Sequence, residues 1–192
     1  MPTFFQEARD AAQGVWALVF GRHDSAQYFD FSQRGLVGSF IALILAVALQ
    51  AFGPHPVDMA APPVMSLSVV LVALAVQAAQ YGVIFLVLRQ LGRADSFVPF
   101  VVVQNWATLV QSFVAVTIIA LLGAPMAIGP DGLAQLTTGS LPYFVLSILV
   151  LVVWFNIARR IMTLRPAHIA IFLVSLLSSA LLLSMLFGSL VP

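Results

Sequence analysis

The sequence predicts an all-α integral membrane protein, with five transmembrane helices preceded by an amphipathic interfacial helix. Three observations lead there. The 192 residues are 61% hydrophobic and only 8% charged, against roughly 25% charged and 45–50% apolar in a soluble domain. Five uncharged runs reach the length of about 20 residues that a helix rising ~1.5 Å per residue needs to cross a bilayer. With five crossings, every basic residue falls on one side of the membrane, as basic loops do on the cytoplasmic side.

The first element lies in a cytoplasmic N-terminal segment, residues 1–34, and is a helix over 3–20. Thr3 and Gln6 have capping-box spacing. On a helical wheel Phe4, Phe5, Ala8, Ala12, Val15, Trp16 and Val19 share one face, and Gln6, Glu7, Asp10, Gln13 and Gly14 share the other. Arg9 sits at the boundary, where its long stem lets the charge reach water. Gly21 ends the helix. The segment is too short and too polar to span, so it is expected to lie on the membrane. Two readings of it stay open: a structural anchor that packs beside the first span, or a docking surface for a cytoplasmic partner, with Phe4, Phe5, Trp16 and Arg9 as the expected residues at the membrane interface. Residues 1–10 hold Glu7 and Asp10 and no basic leader, so the first span is expected to act as its own insertion signal.

Residues 35–192 form a single five-helix domain, with spans at 35–52, 64–88, 96–123, 140–158 and 167–191. Arg89 stops the second run, and Arg159 with Arg160 stops the fourth. Pro63 and Pro166 stand where a first helical turn tolerates proline, and Asp95 can cap the third span. Gly129-Pro130-Asp131-Gly132 is a turn between spans three and four. The charges test the count. Arg9, Arg22, Arg34, Arg89, Arg93, Arg159, Arg160 and Arg165 all fall on one side, and the opposite loops at 53–63 and 124–139 carry only Asp58 and Asp131. A wrong count would scatter the arginines. The expected orientation is therefore N-terminus cytoplasmic and C-terminus external, and the use of Arg without any Lys beside many Ala hints at a bacterial chain, so the expected location is a bacterial inner membrane.

No Asp, Glu, Lys or Arg lies inside any span. Ionisable groups at mid-membrane mark proton and ion pathways, so a proton-coupled transporter or pump is disfavoured. Uncharged polar residues do cluster. Ser66, Gln77, Gln80 and Tyr81 share an arc of the second span, and Gln104, Asn105, Thr108, Gln111 and Ser112 share one of the third, with Trp106 pointing away. Counted from the 89–95 loop, Gln80 and Gln104 sit at similar depth, so the two faces are expected to meet. Two readings stay open: interhelical hydrogen bonds, worth about 0.6–2 kcal/mol each, or a wet groove for a polar solute or lipid head group. Small residues recur every four positions at Gly38, Ala42 and Ala46, a pattern that lets helix backbones approach closely.

Several chemistries lack their residues. The chain has no Cys, which removes disulfides and thiol chemistry. His23, His55 and His168 are too scattered for a metal or haem set. There is no HExxH, no Gly-x-Ser-x-Gly and no phosphate-binding glycine loop. The net charge of +1 gives no nucleic-acid signal. No catalytic residue, metal or cofactor is expected.

Three features resemble a bacterial member of the Yip-domain family of five-span membrane proteins. They are the polar N-terminal segment, the turn Gly92-Arg93-Ala94-Asp95-Ser96-Phe97 opening the third span, and the apolar run through Leu149, Val152 and Trp154 that ends at Arg159-Arg160 before a short loop. The resemblance implies a membrane-organising or partner-binding protein. The expected function is a non-enzymatic scaffold, accessory subunit or lipid- and partner-binding protein. Its expected partners are anionic lipids on the cytoplasmic side and another membrane protein or further copies of itself. The alternative is a small-solute facilitator using the seam of Gln77, Gln80, Tyr81, Gln104, Asn105, Thr108 and Gln111 between spans two and three.

Overall fold

The computed structural model of the protein describes residues 3–54, 57–58, 67–128 and 133–188. Six α-helices dominate: α1 (Phe4–Val19), α2 (Gln33–Phe52), α3 (Leu67–Gln90), α4 (Phe97–Leu122), α5 (Ser140–Asn156) and α6 (Pro166–Gly188). Five of them, α2 to α6, are long and apolar enough to cross a membrane. Ser66, the first residues of the second expected span, the 129–132 turn, His55 and the last residues of the fifth span lie outside the described residues.

Local chemistry sets the ends. The Thr3 hydroxyl accepts from Gln6 N–H, and the Gln6 side chain accepts from Thr3 N–H, a reciprocal cap at the start of α1. At its other end Gly21 takes φ +63°. There Arg22 N–H bonds to Ala17 C=O and Gly21 N–H to Leu18 C=O, the double closure that needs a left-handed residue after the helix. Gly92, at φ +68°, closes α3 in the same way onto Leu88 and Arg89. Ser32 caps α2 from one side while Asp30 accepts the Ser32 N–H. The fourth span does not end in a plain α-turn. Ile157–Ile161 widens into a π-helical turn that carries Arg159 and Arg160.

The helices pack around α4. The α2–α4 interface is the largest, followed by α3–α6. Ser39 of α2 meets Asn105 of α4, and Gln50 meets Ser112, so α2 and α4 run parallel. The small-residue stripe makes their approach possible: Gly38, Ala42 and Ala46 are all buried. Residues 100–107 of α4 are buried on every side, enclosed by α2, α3, α6, the π-turn and α1.

α1 packs into the bundle, as a structural anchor would, with α4 and α5 as its main neighbours among the α-helices. Its Ala11, Val15 and Leu18 join the same buried core as the other helices. Gly14, read from the wheel as polar-face, is instead the point of closest approach. A Cβ there would stand 2.6 Å from the Phe29 ring, so only glycine lets the following turn, His23–Tyr28 with Phe29, fold back beneath the helix.

At the end away from the arginines, the two loops read as irregular contribute a small sheet. Val57–Asp58 pairs parallel with Met126–Ile128, which pairs antiparallel with Ala134–Leu136. Thr137 and Thr138 donate hydroxyls to the carbonyls of Ala124 and Leu122, satisfying acceptors at the end of α4 that have no intrahelical donor. Gly139 is required because a Cβ would lie 2.3 Å from Gly123 O.

Candidate functional site

The polar residues of the spans do not form one seam. They divide into three sets by the helices that receive them. In the first, the Tyr81 hydroxyl of α3 donates to Asn105 Oδ1 of α4, Asn105 Nδ2 donates to Ser39 Oγ of α2 at 3.0 Å, and Ser39 Oγ donates to Leu36 O at 2.8 Å. This relay ties three helices together, and Asn105 and Ser39 are fully buried. Gln77, one turn before Tyr81, engages the phenol from the same helix. Ser39 was not among the expected polar residues, although it stands beside Gly38 in the small-residue stripe, the position where a hydroxyl meets a neighbouring helix.

In the second set Gln80 turns to α6, donating to Leu176 O at 3.4 Å. The polar faces of α3 and α4 meet through Tyr81 and Asn105, and Gln80 turns elsewhere. The reason is packing: α3 makes its broad contact with α6 and only a narrow one with α4, so Tyr81, not Gln80, points across the hairpin.

The third set is a stripe along α4. Thr108 Oγ1 donates to Gln104 O at 2.8 Å, and Gln104 Nε2 donates to Thr108 Oγ1 at 3.4 Å. Ser112 repeats the bond to Thr108 O and accepts from Gln50 Nε2 at 2.7 Å. Gln104 and Gln111 line an otherwise apolar groove between α1, α4 and α5, with a cavity volume of about 160 Å³. Trp16 of α1 and Trp154 of α5 also line it.

The expected docking residues of α1 separate as well. Phe5 and Trp16 are 84% and 64% exposed, and Phe20 continues their stripe. Arg9 is exposed among them. Phe4 turns inward and packs on Trp106, ring centroids 5.5 Å apart. Glu7, expected on the solvent face, forms an ion pair with Arg34 at 3.2 Å, and its carboxylate occupies the space where a side chain at Gly38 would be.

The arginines fasten one end of the molecule. The Arg93 guanidinium donates to Met162 O at 2.6 Å, to Thr163 O at 3.2 Å and to Ser96 Oγ at 3.0 Å. It thereby joins the α3–α4 turn to the α5–α6 turn, where Thr163 holds the left-handed φ of 49°. Arg160 contacts the His23 ring at 2.8 Å, and Asn156 Nδ2 donates to Leu18 O at 2.8 Å. Asp24 chelates Arg22 and holds the guanidinium above its ordinary pKa. The Ser32 N–H, donating to Asp30, holds that carboxyl below its ordinary range. Among the described residues, no group of three or more His, Asp or Glu could hold a metal ion. Asn156, an amide at the end of an apolar run, was a visible signal for the α1 contact.

Compared with known proteins, the chain matches no family model, no curated protein and no solved structure.

Proposed function

We propose that the protein is a non-enzymatic multi-pass membrane protein, a scaffold or accessory subunit that holds lipid and a membrane partner at its Arg-bearing end. The observation that supports this reading is the outer stripe of α1. Phe5, Arg9, Trp16 and Phe20 are exposed on a helix whose other side is locked into the core. An apolar stripe bearing a cation at the water–lipid boundary suits interfacial binding. The same end carries eight Arg against Glu7, Asp10, Asp24, Asp30 and Asp95, which leaves +3 and attracts anionic lipid. In this reading that end is cytoplasmic, the membrane is a bacterial inner membrane, and the Yip-like order of a leading segment and five spans is part of the proposal. The spans' polar groups are largely taken up by one another, which weighs against the small-solute facilitator.

Native mass spectrometry of the protein extracted with its surrounding lipid tests the reading. A stoichiometric membrane partner or retained anionic lipid, reduced in Arg9→Ala with Trp16→Ala, is the expected result. A bare species that instead conducts solute in proteoliposomes, with flux abolished by Gln77→Leu, overturns it. Orientation is tested separately, since the chain lacks Cys. Single cysteines at Gln135 and Arg165, both exposed, are expected to label from opposite sides.

A further inference from the structure

Charge is sorted around α1. Glu7 and Asp10, with Asp30 from the segment beyond, line a cavity against Phe29 and Trp106. Arg9, Ala12, Gln13 and Trp16, spaced at i, i+3, i+4 and i+7, share another face of the helix. Arg22 and Tyr28 close on that face, and the cleft between them has a volume of about 630 Å³. Among the described residues no carboxylate lines it. Its donors are uncommitted. Among the described residues Arg9, Gln13 and the Tyr28 hydroxyl have no hydrogen-bond or ion-pair partner. Asp24 grips Arg22 only through Nε and Nη2, at 3.0 and 2.6 Å. That fixes the plane of the guanidinium and leaves Nη1 to donate elsewhere.

These groups restrict the occupant. Guanidiniums match phosphate oxygens, which their planar fork can bind in pairs. An ammonium is repelled by the same two cations and finds no carboxylate in the cleft. The carboxamide and the phenol match hydroxyl groups instead. The face continues into Phe5 at one end and Phe20 at the other, and the exposed rings of Trp16 and Phe20 lie 5.0 Å apart. Such rings belong at the boundary between lipid head groups and chains, so the phosphate is a lipid's and not a free ion. We propose that this cleft seats the head group of an anionic phospholipid that carries hydroxyls and no amine, as phosphatidylglycerol does. Arg9 and Arg22 hold its phosphodiester, and Gln13 and Tyr28 bond its hydroxyls. The proposal rests on the lipid-binding reading above. It adds what net positive charge alone cannot supply, a choice between lipids of equal charge.

The test compares phosphatidylglycerol with phosphatidylserine, both singly anionic overall, the second bearing an ammonium. The full chain in detergent micelles is titrated with either lipid, and bound lipid is counted by native mass spectrometry. Phosphatidylglycerol is expected to bind about three- to tenfold more tightly, the net worth of one hydrogen bond. Arg9→Gln, at an exposed position, is expected to weaken its binding by a like factor. Arg165→Gln removes the same charge from an exposed position outside the cleft and should weaken it much less. Gln13→Ala with Tyr28→Phe should narrow the preference between the lipids, and a preference untouched by that pair overturns the assignment. Equal affinity of the two lipids in the unaltered protein also overturns it, as does equal weakening by Arg9→Gln and Arg165→Gln. Either result leaves diffuse attraction, and the broader reading stands. Displacement of the lipid by inorganic phosphate at the lipid's own concentration overturns the choice of a lipid, since the cleft then recognises the bare anion. Failure of both lipids to bind removes the broader reading too.

Discussion

The two ends of the helix bundle are built on different principles. At the Arg-bearing end, α1, α2, α3, α6 and the π-turn surround residues 100–107 of α4 as the core of a soluble protein surrounds its central element, with Phe100, Ile84, Leu88, Ile157 and Phe172 almost fully buried. Toward the other end the same helices present their apolar residues outward: Phe113, Leu121, Leu182 and Met185 are all more than half exposed. Helix composition does not differ much between the two, since the spans are uniformly apolar. What differs is α1, present at one end only. One end is held by packing within the chain, and the other turns its apolar side chains outward. Apolar surface bordering lipid gains little from burial against another helix.

The sharpest way to break this contrast is to make the same truncation at both ends. Phe100→Ala should cost about 3–5 kcal/mol, the loss of a buried aromatic side chain plus a cavity. Phe113→Ala should cost within about 0.5 kcal/mol, as surface changes do. Thermal unfolding in detergent measures both; comparable losses would abolish the distinction. Next in size is Asn105→Leu, which leaves the Tyr81 hydroxyl without its acceptor and Ser39 without its donor. A loss of about 1–3 kcal/mol is expected, with part recovered when Tyr81→Phe is added. A double-mutant cycle checks that coupling, and additive losses would dissolve the relay.

Arg93→Ala should lower the unfolding temperature by the equivalent of about 1 kcal/mol, because carbonyls of two residues lose a shared donor. Arg93→Lys should restore only part of it, since an ammonium cannot span that set as a planar guanidinium does. Glu7→Gln should cost no more than about 1 kcal/mol, and the loss should shrink in high salt, as a partly exposed ion pair requires. The smallest effect concerns pH. Asp30 has its carboxyl held below the ordinary value by the Ser32 N–H. Its contribution is therefore present above the unfolded-state value and lost as pH falls through the folded one. The stability difference between wild type and Asp30→Asn should persist at neutral pH and vanish only below the ordinary carboxylate range.

The spans were legible because their causes are local. A run without charge, closed by arginine, proline or glycine, fixes each helix whatever its neighbours do. The same holds for the Thr3–Gln6 cap and the Gly21 closure, which appear where the residues put them. What was not legible depends on which helices touch. The wheel for α1 placed Gly14 with the polar residues, yet the absence of a side chain there makes it a packing site for Phe29. Depth along the hairpin cannot say whether α3 leans on α4 or on α6, so it does not show that Tyr81 meets α4 while Gln80 turns to α6. Asn105 and Tyr81 lie where polar helix faces were expected; Ser39, which completes their bond network, needed the α2–α4 contact to be seen. The three-stranded cap had no sequence signal, because its strands are two or three residues long.

The bond from Asn156 to the carbonyl of Leu18 spans 138 residues, and this sets a timetable for biogenesis. At a ribosome's pace of about 5–20 residues per second, the seat for α1 is completed on the order of ten seconds after α1 itself has been made. During that interval Ala11, Val15 and Leu18 have no fourth span to cover them. A helix translated before the other five is thus among the last to settle, and its arrival marks the moment when a string of helices becomes a finished bundle.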